Sequence, residues 1–310
     1  MKVLLTSTSF QDCEGAHKEL LNQQGWDVSY LRGPLKKAEI IDVVDQYDAL
    51  ICGDDELDRE VLTKGYKGNL RYISKYGVGL DKIDLDTAKE LGISVTNCKG
   101  VNQIAVAEHV LGMLFTFFKN VHISHAITSQ GGWKRPLGNE LFGKKIGVLG
   151  LGAIGKELAK RTPYLGMKTY VYDVYLDQEF VDNHDVKVSN SVEEMFATCD
   201  IISLHVPLLD TTKGLVSRKL LLEQTKSGLI LINTSRAGLI EEQDVLDALE
   251  AGQLKGYLTD VLSIEPMSEL CLLRDKAGIL ITPHIGSRTQ ETIQRQGSMA
   301  VNNLKKISLG

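Results

Sequence analysis

The sequence predicts an α/β protein with two doubly wound parallel sheets, each in its own domain. Short apolar runs alternate with helical stretches through the first hundred residues, and the same alternation resumes at Lys145. Strands that alternate with helices indicate a parallel sheet covered by helices on both faces. A chain of 310 residues has the usual length for two such domains.

The strand candidates divide between the two halves of the chain. Those of the first half are Val3–Leu5, Val28–Tyr30, Ala49–Cys52, Tyr72–Ser74 and Ile93–Val95, with helices at His17–Gln23, Lys37–Asp45, Leu57–Leu62 and Leu85–Glu90. Those of the second half are Ile146–Leu149, Thr169–Tyr172, Val186–Val188, Ile201–Leu204, Leu229–Ile232, Tyr257–Val261 and Ile279–Ile281. The last helix, Thr289–Lys306, is long enough to return to the first domain. We expect a first domain of residues 1–99 completed by 286–310, and a second domain of 100–285.

A glycine cluster follows the first strand of the second half. In Gly150-x-Gly152-x-x-Gly155, the first glycine permits a tight turn, the second lets the backbone approach a pyrophosphate, and the third lets a helix pack on the strand. An ordinary glycine-rich loop is the alternative. Asp173 ends the next strand at about the expected 20 residues, which favours a dinucleotide site. Its carboxylate can accept hydrogen bonds from ribose hydroxyls and would repel a 2′-phosphate, so NAD is predicted rather than NADP.

Composition excludes several classes of function. The net charge of −5, without a dense Lys/Arg block, argues against nucleic-acid binding. The most apolar segment, Ile104–Phe118, is interrupted by Glu108 and His109 and indicates a buried helix rather than a membrane span. The five cysteines lack metal-type spacing and are typical of a reducing cytoplasm. We therefore expect a cytoplasmic protein with no metal, no membrane partner and no nucleic-acid partner.

Three polar side chains follow strands of the second half and suggest chemistry. Arg236 offers a planar fork of donors suited to a carboxylate. Glu265 lies in a loop before Pro266, and His284 follows Pro283 at another strand end. A histidine beside a carboxylate has its protonated form favoured and suits acid–base catalysis near neutral pH. Taken singly, a histidine at a strand end is more often structural, and a lone glutamate is a solvated loop residue.

Other polar positions leave two interpretations open. The loop Tyr76–Gly79 follows a strand and presents N–H groups where open α/β sheets bind ligands, but a plain turn fits equally well. His205 also ends a strand, has no acidic residue nearby in sequence, and is interpreted as lining a cofactor pocket. His109 is interpreted as a buried helix residue rather than a catalyst.

Together these motifs resemble the D-2-hydroxyacid dehydrogenase family, NAD-dependent oxidoreductases that include phosphoglycerate dehydrogenase. The matching motifs are Gly77-Val78-Gly79, Asn102 with Val106-Ala107-Glu108, Gly150 to Gly155, His205-Val206-Pro207, Asn233 to Gly238, Asp260-Val261, Glu265-Pro266 and Thr282-Pro283-His284. The resemblance implies a flavodoxin-like substrate domain and an inserted Rossmann NAD-binding domain. It also implies a homodimer, with the segment from Ile104 to Trp133 in the interface.

The resemblance assigns roles to individual residues. Arg236 would bind the substrate carboxylate and polarise the keto oxygen, His284 would protonate that oxygen, and Glu265 would orient the imidazolium. The implied cofactor contacts are Val106, Gly150, Gly152, Ala153, Ile154, Gly155, Asp173, His205, Val206, Pro207, Thr212, Thr234, Ser235, Arg236, Asp260, His284 and Gly286. The implied substrate contacts are Tyr76, Gly77, Val78, Gly79, Arg236 and His284. Formate dehydrogenases carry a glutamine in place of Glu265, so the acid indicates reduction of a keto acid.

One departure from the family bears on the substrate. Members that act on phosphoglycerate carry arginines after the strand Ala49–Cys52, whereas this chain reads Gly53-Asp54-Asp55-Glu56-Leu57-Asp58. Acidic groups there would repel a substrate phosphate, although part of the run is also typical of a helix start. A neutral or amine-bearing 2-keto acid is therefore expected.

Two alternatives stay open. The first is D-3-phosphoglycerate dehydrogenase, with Lys134 and Arg135 beside Trp133 supplying a phosphate contact. The second belongs to a different class, an NAD(H)-sensing corepressor or scaffold, because some relatives of this fold bind NAD(H) mainly to control partner binding.

Overall fold

Both predicted sheets are present, and every strand pair in them is parallel. The computed structural model describes residues 1–309. The chain divides into one unit of Met1–Asn102 with Arg288–Gly310, and a second unit of Gln103–Ser287.

The first unit contains a five-stranded sheet in the order β2-β1-β3-β4-β5. Its strands are β1 (Lys2–Leu5), β2 (Asp27–Tyr30), β3 (Ala49–Cys52), β4 (Tyr72–Lys75) and β5 (Ser94–Asn97). Its first helices are α1 (Thr8–Asp12), α2 (Ala16–Asn22), α3 (Lys37–Ile40), α4 (Arg59–Lys67) and α5 (Leu85–Leu91). All four residues of the central strand β3 are buried, because helices cover both faces of the sheet.

The helix predicted over Lys37–Asp45 is shorter in the structure. The α-helix α3 ends at Ile40, and a 3-10 turn at Val44–Gln46 follows it. The carbonyl oxygen of Asp45 accepts a hydrogen bond from the Asn69 backbone N–H at 3.1 Å. A tertiary partner therefore takes the carbonyl at the end of the predicted helix.

The second unit contains a seven-stranded sheet in the order β12-β11-β10-β9-β6-β7-β8. Its strands are β6 (Lys145–Leu149), β7 (Lys168–Tyr172), β8 (Val186–Val188), β9 (Ile201–Leu204), β10 (Leu229–Asn233), β11 (Leu254–Thr259) and β12 (Ile279–Ile281). Its helices are α6 (Gln103–Phe118), α7 (Val121–Ser129), α8 (Ala153–Arg161), α9 (Gln178–Asp182), α10 (Val192–Thr198) and α11 (Glu242–Glu250). Shorter helical turns lie at Pro163–Leu165, Leu220–Gln224 and Ala237–Leu239.

Helix α6 belongs to the core of the second unit. Its buried side chains include Val110, Met113 and Leu114, which pack with those of β6 and α8. Among residues 1–309 no single helix is long and apolar enough to cross a bilayer. Only α6 and α7 taken together reach that length and composition, and the pair is bent by 61°.

The final helix, α12 (Gln290–Leu309), packs within the first unit. The Ser74 hydroxyl of β4 donates to the Ala300 carbonyl at 2.8 Å, and Asn303 donates to the Asn97 carbonyl at 3.0 Å. A Cβ at Gly297 would lie 2.7 Å from that of His17 in α2, so this glycine lets the two helices approach closely. The last helix thus completes the first unit.

Candidate active site

The glycine loop joins β6 to α8. Gly150 has φ +100°, and a Cβ there would lie 2.7 Å from the carbonyl carbon of His205. A Cβ at Gly155 would lie 2.0 Å from the Gly150 carbonyl oxygen. At Gly152 a Cβ would meet no atom of residues 1–309 within 4 Å. Packing inside the protein therefore explains Gly150 and Gly155, whereas Gly152 borders open space at the start of a helix.

That open space fits the phosphates of a dinucleotide. Gly152 is the N-terminal cap of α8 and contributes no side-chain hydrogen bond to it. The first N–H groups of the helix, including those of Ala153 and Ile154, form the positive end of its dipole, which favours an anion. A side chain at Gly152 would fill the space in which a pyrophosphate approaches the backbone.

Asp173 lies directly after β7 and contacts the glycine loop. Its Oδ2 accepts a hydrogen bond from the Leu151 backbone N–H at 2.6 Å, and its Oδ1 accepts one from Tyr175 N–H at 2.9 Å. Tyr175 is 90% exposed. The carboxylate thus fixes the loop and retains lone pairs for further donors, such as ribose hydroxyls.

The segment after β9 contacts the end of β6, which leads into the glycine loop. The His205 backbone N–H donates to the Leu149 carbonyl at 2.7 Å, and the ring Nε2 lies 2.8 Å from Ser203 Oγ. Burial lowers the pKa of His205 to about 4, so its ring is neutral at pH 7. Thr212 Oγ1 donates to the Pro207 carbonyl at 2.6 Å and closes the following turn.

The turn after β10 places Thr234, Ser235 and Arg236. The buried Asn233 fixes it, because its Oδ1 accepts from Ser235 N–H at 3.1 Å and its Nδ2 donates to the Arg236 carbonyl at 2.9 Å. Ser235 Oγ donates to the Val206 carbonyl at 2.5 Å, which joins this turn to the His205 segment. The sequence named Asn233 only as the first residue of a motif and gave it no role of its own, although a polar residue that ends a buried strand indicates a local hydrogen-bonding role.

Thr234 carries an unsatisfied polar atom. Its hydroxyl is buried and finds no hydrogen-bond partner in the part of the chain that the structure describes. A buried hydroxyl without a partner is unfavourable, so such a group indicates a ligand. This observation and the open space at Gly152 both fit a dinucleotide along the carboxyl ends of the strands.

Glu265 and His284 form a hydrogen-bonded pair. Glu265 Oε2 lies 2.7 Å from His284 Nδ1, and Glu265 Oε1 accepts from the Leu262 N–H at 2.9 Å. His284 has φ +55°, a left-handed conformation that costs a non-glycine residue roughly 1–3 kcal/mol. Because Nδ1 binds the carboxylate, proton exchange with a substrate would take place at Nε2.

Asp260 supports the turn that follows His284. This residue is 2% exposed, and its oxygens accept hydrogen bonds from Thr282 Oγ1 at 2.6 Å, Ile285 N–H at 2.9 Å and Gly286 N–H at 2.7 Å. Burial alone would raise the pKa of Asp260, but hydrogen bonds from His109, Thr282 and the two N–H groups hold it below its usual range. The sequence assigned Asp260 only to the cofactor, whereas the structure gives it a bracing role.

His109 is the residue that sequence reasoning set aside. Its Nε2 lies 2.9 Å from Thr282 Oγ1 and 3.5 Å from Asp260 Oδ1. No local signal in α6 identifies this contact, because Thr282 is 173 positions away. Val106, in the first turn of the same helix, is buried.

In the first unit, the loop Tyr76–Gly79 follows β4. Gly77 has φ +129°, its carbonyl accepts from Cys98 N–H at 2.8 Å, and the Val78 carbonyl accepts from Asn97 Nδ2 at 2.6 Å. Carbonyl groups of the loop thus point to β5. The preceding Lys75 is 3% exposed, and its Nζ donates to the Gly53 carbonyl and to Asp54 Oδ1, each at 2.7 Å.

The acidic run after β3 does not form a free negative patch, which corrects the expectation from sequence. Asp55 is buried, and its carboxylate accepts from the Thr6 hydroxyl and from two backbone N–H groups; burial raises its pKa. Glu56 accepts from the Lys37 N–H at 3.1 Å, and Asp58 caps α4. Asp54 is paired with Lys75, so three of the four acids serve local structure and the fourth is neutralised.

Comparisons of the sequence with known proteins identify related families. A family model for the NAD binding domain of D-isomer specific 2-hydroxyacid dehydrogenases matches residues 111–286. D-3-phosphoglycerate dehydrogenase of Methanocaldococcus jannaschii is 32% identical over 313 residues, 100% of this chain and 58% of that protein. This chain spans about half the length of the curated relatives it matches.

Solved structures give the same result. The TT0316 protein from Thermus thermophilus superposes with a TM-score of 0.88 at 34% identity, covering 100% of this chain and 97% of that one. The apo-structure of D-lactate dehydrogenase from Escherichia coli superposes with a TM-score of 0.86 at 25% identity, covering 100% and 98%.

Proposed function

The chain belongs to the D-isomer specific 2-hydroxyacid dehydrogenase family, and we propose that it is an NAD-dependent oxidoreductase interconverting a 2-keto acid and a D-2-hydroxy acid. The observation that carries the proposal is the 2.7 Å pair of His284 and Glu265 at the edge of a sheet that also presents Arg236 and the glycine loop. An acid–base pair and a carboxylate-binding cation are what reduction of a 2-keto acid requires of a protein.

The three side chains have different roles in this reaction. Arg236 binds the substrate carboxylate and polarises the keto oxygen. His284 gives its Nε2 proton to that oxygen, and in the reverse direction takes it back. Glu265 stabilises the imidazolium and keeps the ring oriented through Nδ1. NADH, when bound, supplies the hydride that the carbonyl carbon accepts, so the overall change is addition of one hydride and one proton.

The cofactor is proposed to bind along the carboxyl ends of the second sheet. Gly150, Gly152 and Gly155, with the N–H groups that open α8, bind the pyrophosphate. Asp173 accepts from ribose hydroxyls and disfavours a 2′-phosphate, and the Thr234 hydroxyl gains a partner. The remaining contacts proposed from the resemblance are Val106, His205, Val206, Pro207, Thr212, Ser235, Arg236, Asp260, His284 and Gly286.

The substrate is proposed to bind also to the N–H groups of Val78 and Gly79. A neutral or amine-bearing 2-keto acid is favoured, because Asp54 neutralises the Lys75 ammonium beside this loop. D-3-phosphoglycerate dehydrogenase is the second candidate, favoured by the name of the Methanocaldococcus jannaschii relative. Lys134 and Arg135 would then contact the phosphate.

We propose that the protein is a homodimer that acts in the cytoplasm, where NAD and NADH are available. Large apolar side chains of the second unit face solvent in a single protomer, among them Leu137 at 94% and Tyr164 at 92% exposure. The Leu137 carbonyl accepts from Asn120 Nδ2 at 2.9 Å, which ties its segment to the end of α6. We propose that a second copy of this chain covers these exposed apolar side chains.

The test is oxidation of NADH with pyruvate, hydroxypyruvate and phosphohydroxypyruvate in turn, each repeated with NADPH. We expect turnover with at least one keto acid and a strong preference for NADH. NADH binding without turnover on any of them would contradict the enzyme and favour an NAD(H)-sensing scaffold. A preference for NADPH would contradict the role given to Asp173.

A further inference from the structure

Residues shortly before and after His284 in the chain are held by hydrogen bonds to one carboxylate. Two positions before it, the Thr282 hydroxyl donates to Asp260 Oδ1. One and two positions after it, the backbone N–H groups of Ile285 and Gly286 donate to the same carboxylate. A Cβ at Gly286 would lie 2.9 Å from Asp260 Oδ2, so the close approach requires glycine. One buried carboxylate thus fixes the left-handed turn that presents the His284 ring to Glu265.

The direction of the hydrogen bonds identifies the proton on His109. Thr282 has one hydroxyl proton, and the 2.6 Å contact with Asp260 uses it, because an ionised carboxylate only accepts. At 2.9 Å from His109 Nε2, the Thr282 oxygen can then only accept. His109 therefore carries a proton on Nε2 and donates it to Thr282, with Asp260 Oδ1 as a second, longer acceptor at 3.5 Å.

We propose that His109 is a positioning residue for the reaction: it orients the Thr282 hydroxyl toward Asp260 and so fixes the turn that aligns His284 with Glu265. This inference rests on the proposed function. His109 acts through Thr282 and Asp260. Because His109 lies on α6, this hydrogen bond joins the core helix α6 to the segment after β12 that carries His284.

We expect His109 to matter because its ring N–H donates a hydrogen bond, and not because the ring fills space. The neighbours of His109 on the inner side of α6 are apolar, among them Val106 and Val110. A leucine would occupy similar space but would leave the Thr282 oxygen and the buried Asp260 with one donor fewer. A glutamine places an amide N–H near the position of Nε2 and keeps the donor. These two substitutions separate hydrogen bonding from packing.

The kinetic test compares H109L, H109Q, T282V and the double variant H109L/T282V, using NADH and whichever of pyruvate, hydroxypyruvate or phosphohydroxypyruvate the wild type reduces fastest. We expect H109L to lower kcat about tenfold with KM changed less than about twofold, because a displaced proton donor affects the transition state more than binding. H109Q is expected to recover most of the loss. The double variant is expected to be no worse than T282V, because the two residues act as one unit.

A second measurement needs no turnover. Ring ¹⁵N shifts of histidine-labelled protein without ligand report which nitrogen carries the proton. We expect His109 to be protonated on Nε2, and the His284 ring signals to shift in H109L but not in H109Q. If the wild type reduces no keto acid, the proposed function fails while these shifts still decide whether His109 fixes the His284 turn.

Several outcomes would overturn the inference. Wild-type kcat in H109L, equal losses in H109L and H109Q, or additive losses in the double variant would each show that His109 only fills space. A proton on Nδ1 alone, or unchanged His284 signals in H109L, would do the same.

Discussion

At the scale of single residues, His284 combines an unfavourable backbone conformation with an exposed ring and a carboxylate partner. Strain of this kind persists where surrounding contacts fix it, and here Asp260 supplies them. The conformation brings Nδ1 to Glu265.

Replacement of His284 by alanine removes the proposed acid. We expect H284A to lower kcat by roughly 10²–10⁴ while NADH still binds, because general acid catalysis contributes about that factor. Steady-state NADH oxidation and NADH fluorescence titration measure the two quantities. H125A, on the exposed side of α7, is the matched control, and a wild-type rate in H284A would remove His284 from the role.

His205 makes stability depend on pH. Its pKa in the folded protein, about 4, lies below the ordinary value of 6.5, so the unfolded chain binds this proton more readily. Its contribution to stability is therefore complete above pH 6.5 and is lost as the pH falls toward 4. Between pH 7 and pH 5 we expect the wild type to lose about 2 kcal/mol of unfolding free energy that H205Q does not lose.

Urea denaturation at both pH values measures this difference. H125Q, which replaces an exposed histidine, should keep the wild-type pH dependence. Equal losses in the wild type and H205Q would show that the ring is not buried in its neutral form.

At the scale of elements, two glycines of the glycine loop are expected to have different roles: Gly155 allows close packing, and Gly152 allows the cofactor to bind. In G155A the new methyl group meets the Gly150 carbonyl, and we expect a loss of about 1–3 kcal/mol or more in stability. In G152A the methyl group meets no described atom, so the melting temperature should stay unchanged while NADH affinity falls at least about tenfold. Thermal melting and fluorescence titration test both expectations.

The control for this pair is G112A, a glycine of α6 where an added Cβ also meets no described atom. It should raise stability by roughly 0.5–1 kcal/mol, because alanine favours a helix interior more than glycine does, and it should leave NADH affinity unchanged. Normal NADH affinity in G152A would place the pyrophosphate elsewhere.

We expect the loop after β3 to affect the preference between phosphorylated and unphosphorylated substrates, because its Asp54 neutralises Lys75. D54N removes the carboxylate that neutralises this ammonium. We expect kcat/KM for phosphohydroxypyruvate relative to hydroxypyruvate to rise about tenfold, because an added unit of positive charge near the loop attracts the phosphate. D58N is the control, since asparagine also caps a helix and the net charge changes equally. An equal ratio in D54N and D58N would show that this loop does not face the substrate.

At the scale of the whole molecule, the proposed dimer depends on the exposed apolar side chains of the second unit. A chain of 34.2 kDa should elute with about twice that mass in light scattering. The double variant L137E/Y164E should elute as a monomer, because burying two carboxylates in an interface is unfavourable. L270E, on an exposed loop of the same unit, should remain dimeric. A monomeric wild type would contradict the proposal.

Much of the fold could be predicted, because strands and glycines give local signals. The apolar runs located the twelve strands of residues 1–309 to within a few residues, and α8 ends at Arg161, two residues before Pro163, which disfavours continuation of a helix. The run Lys37–Asp45 was predicted as one helix, whereas α3 ends at Ile40 and a 3-10 turn follows at Val44–Gln46.

Site residues that follow a strand could be proposed from the sequence, whereas contacts between residues far apart in the chain could not. Arg236, Glu265 and His284 each follow a strand, and the resemblance assigns them to one site; the structure pairs Glu265 with His284. The acidic run was misjudged, since the partners of Asp55 are Thr6 and Leu35, 49 and 20 positions away.

The sequence by itself determined the class of fold, because hydrophobic periodicity acts over a few residues, and it predicted the nucleotide-binding loop and NAD from the glycine spacing and Asp173. Only the tertiary structure decided that His109, Thr282 and Asp260 form one hydrogen-bonded group, and that Asp54 neutralises Lys75. These contacts join side chains from separate elements. Their energies depend on distances that folding sets and that spacing along the chain does not specify.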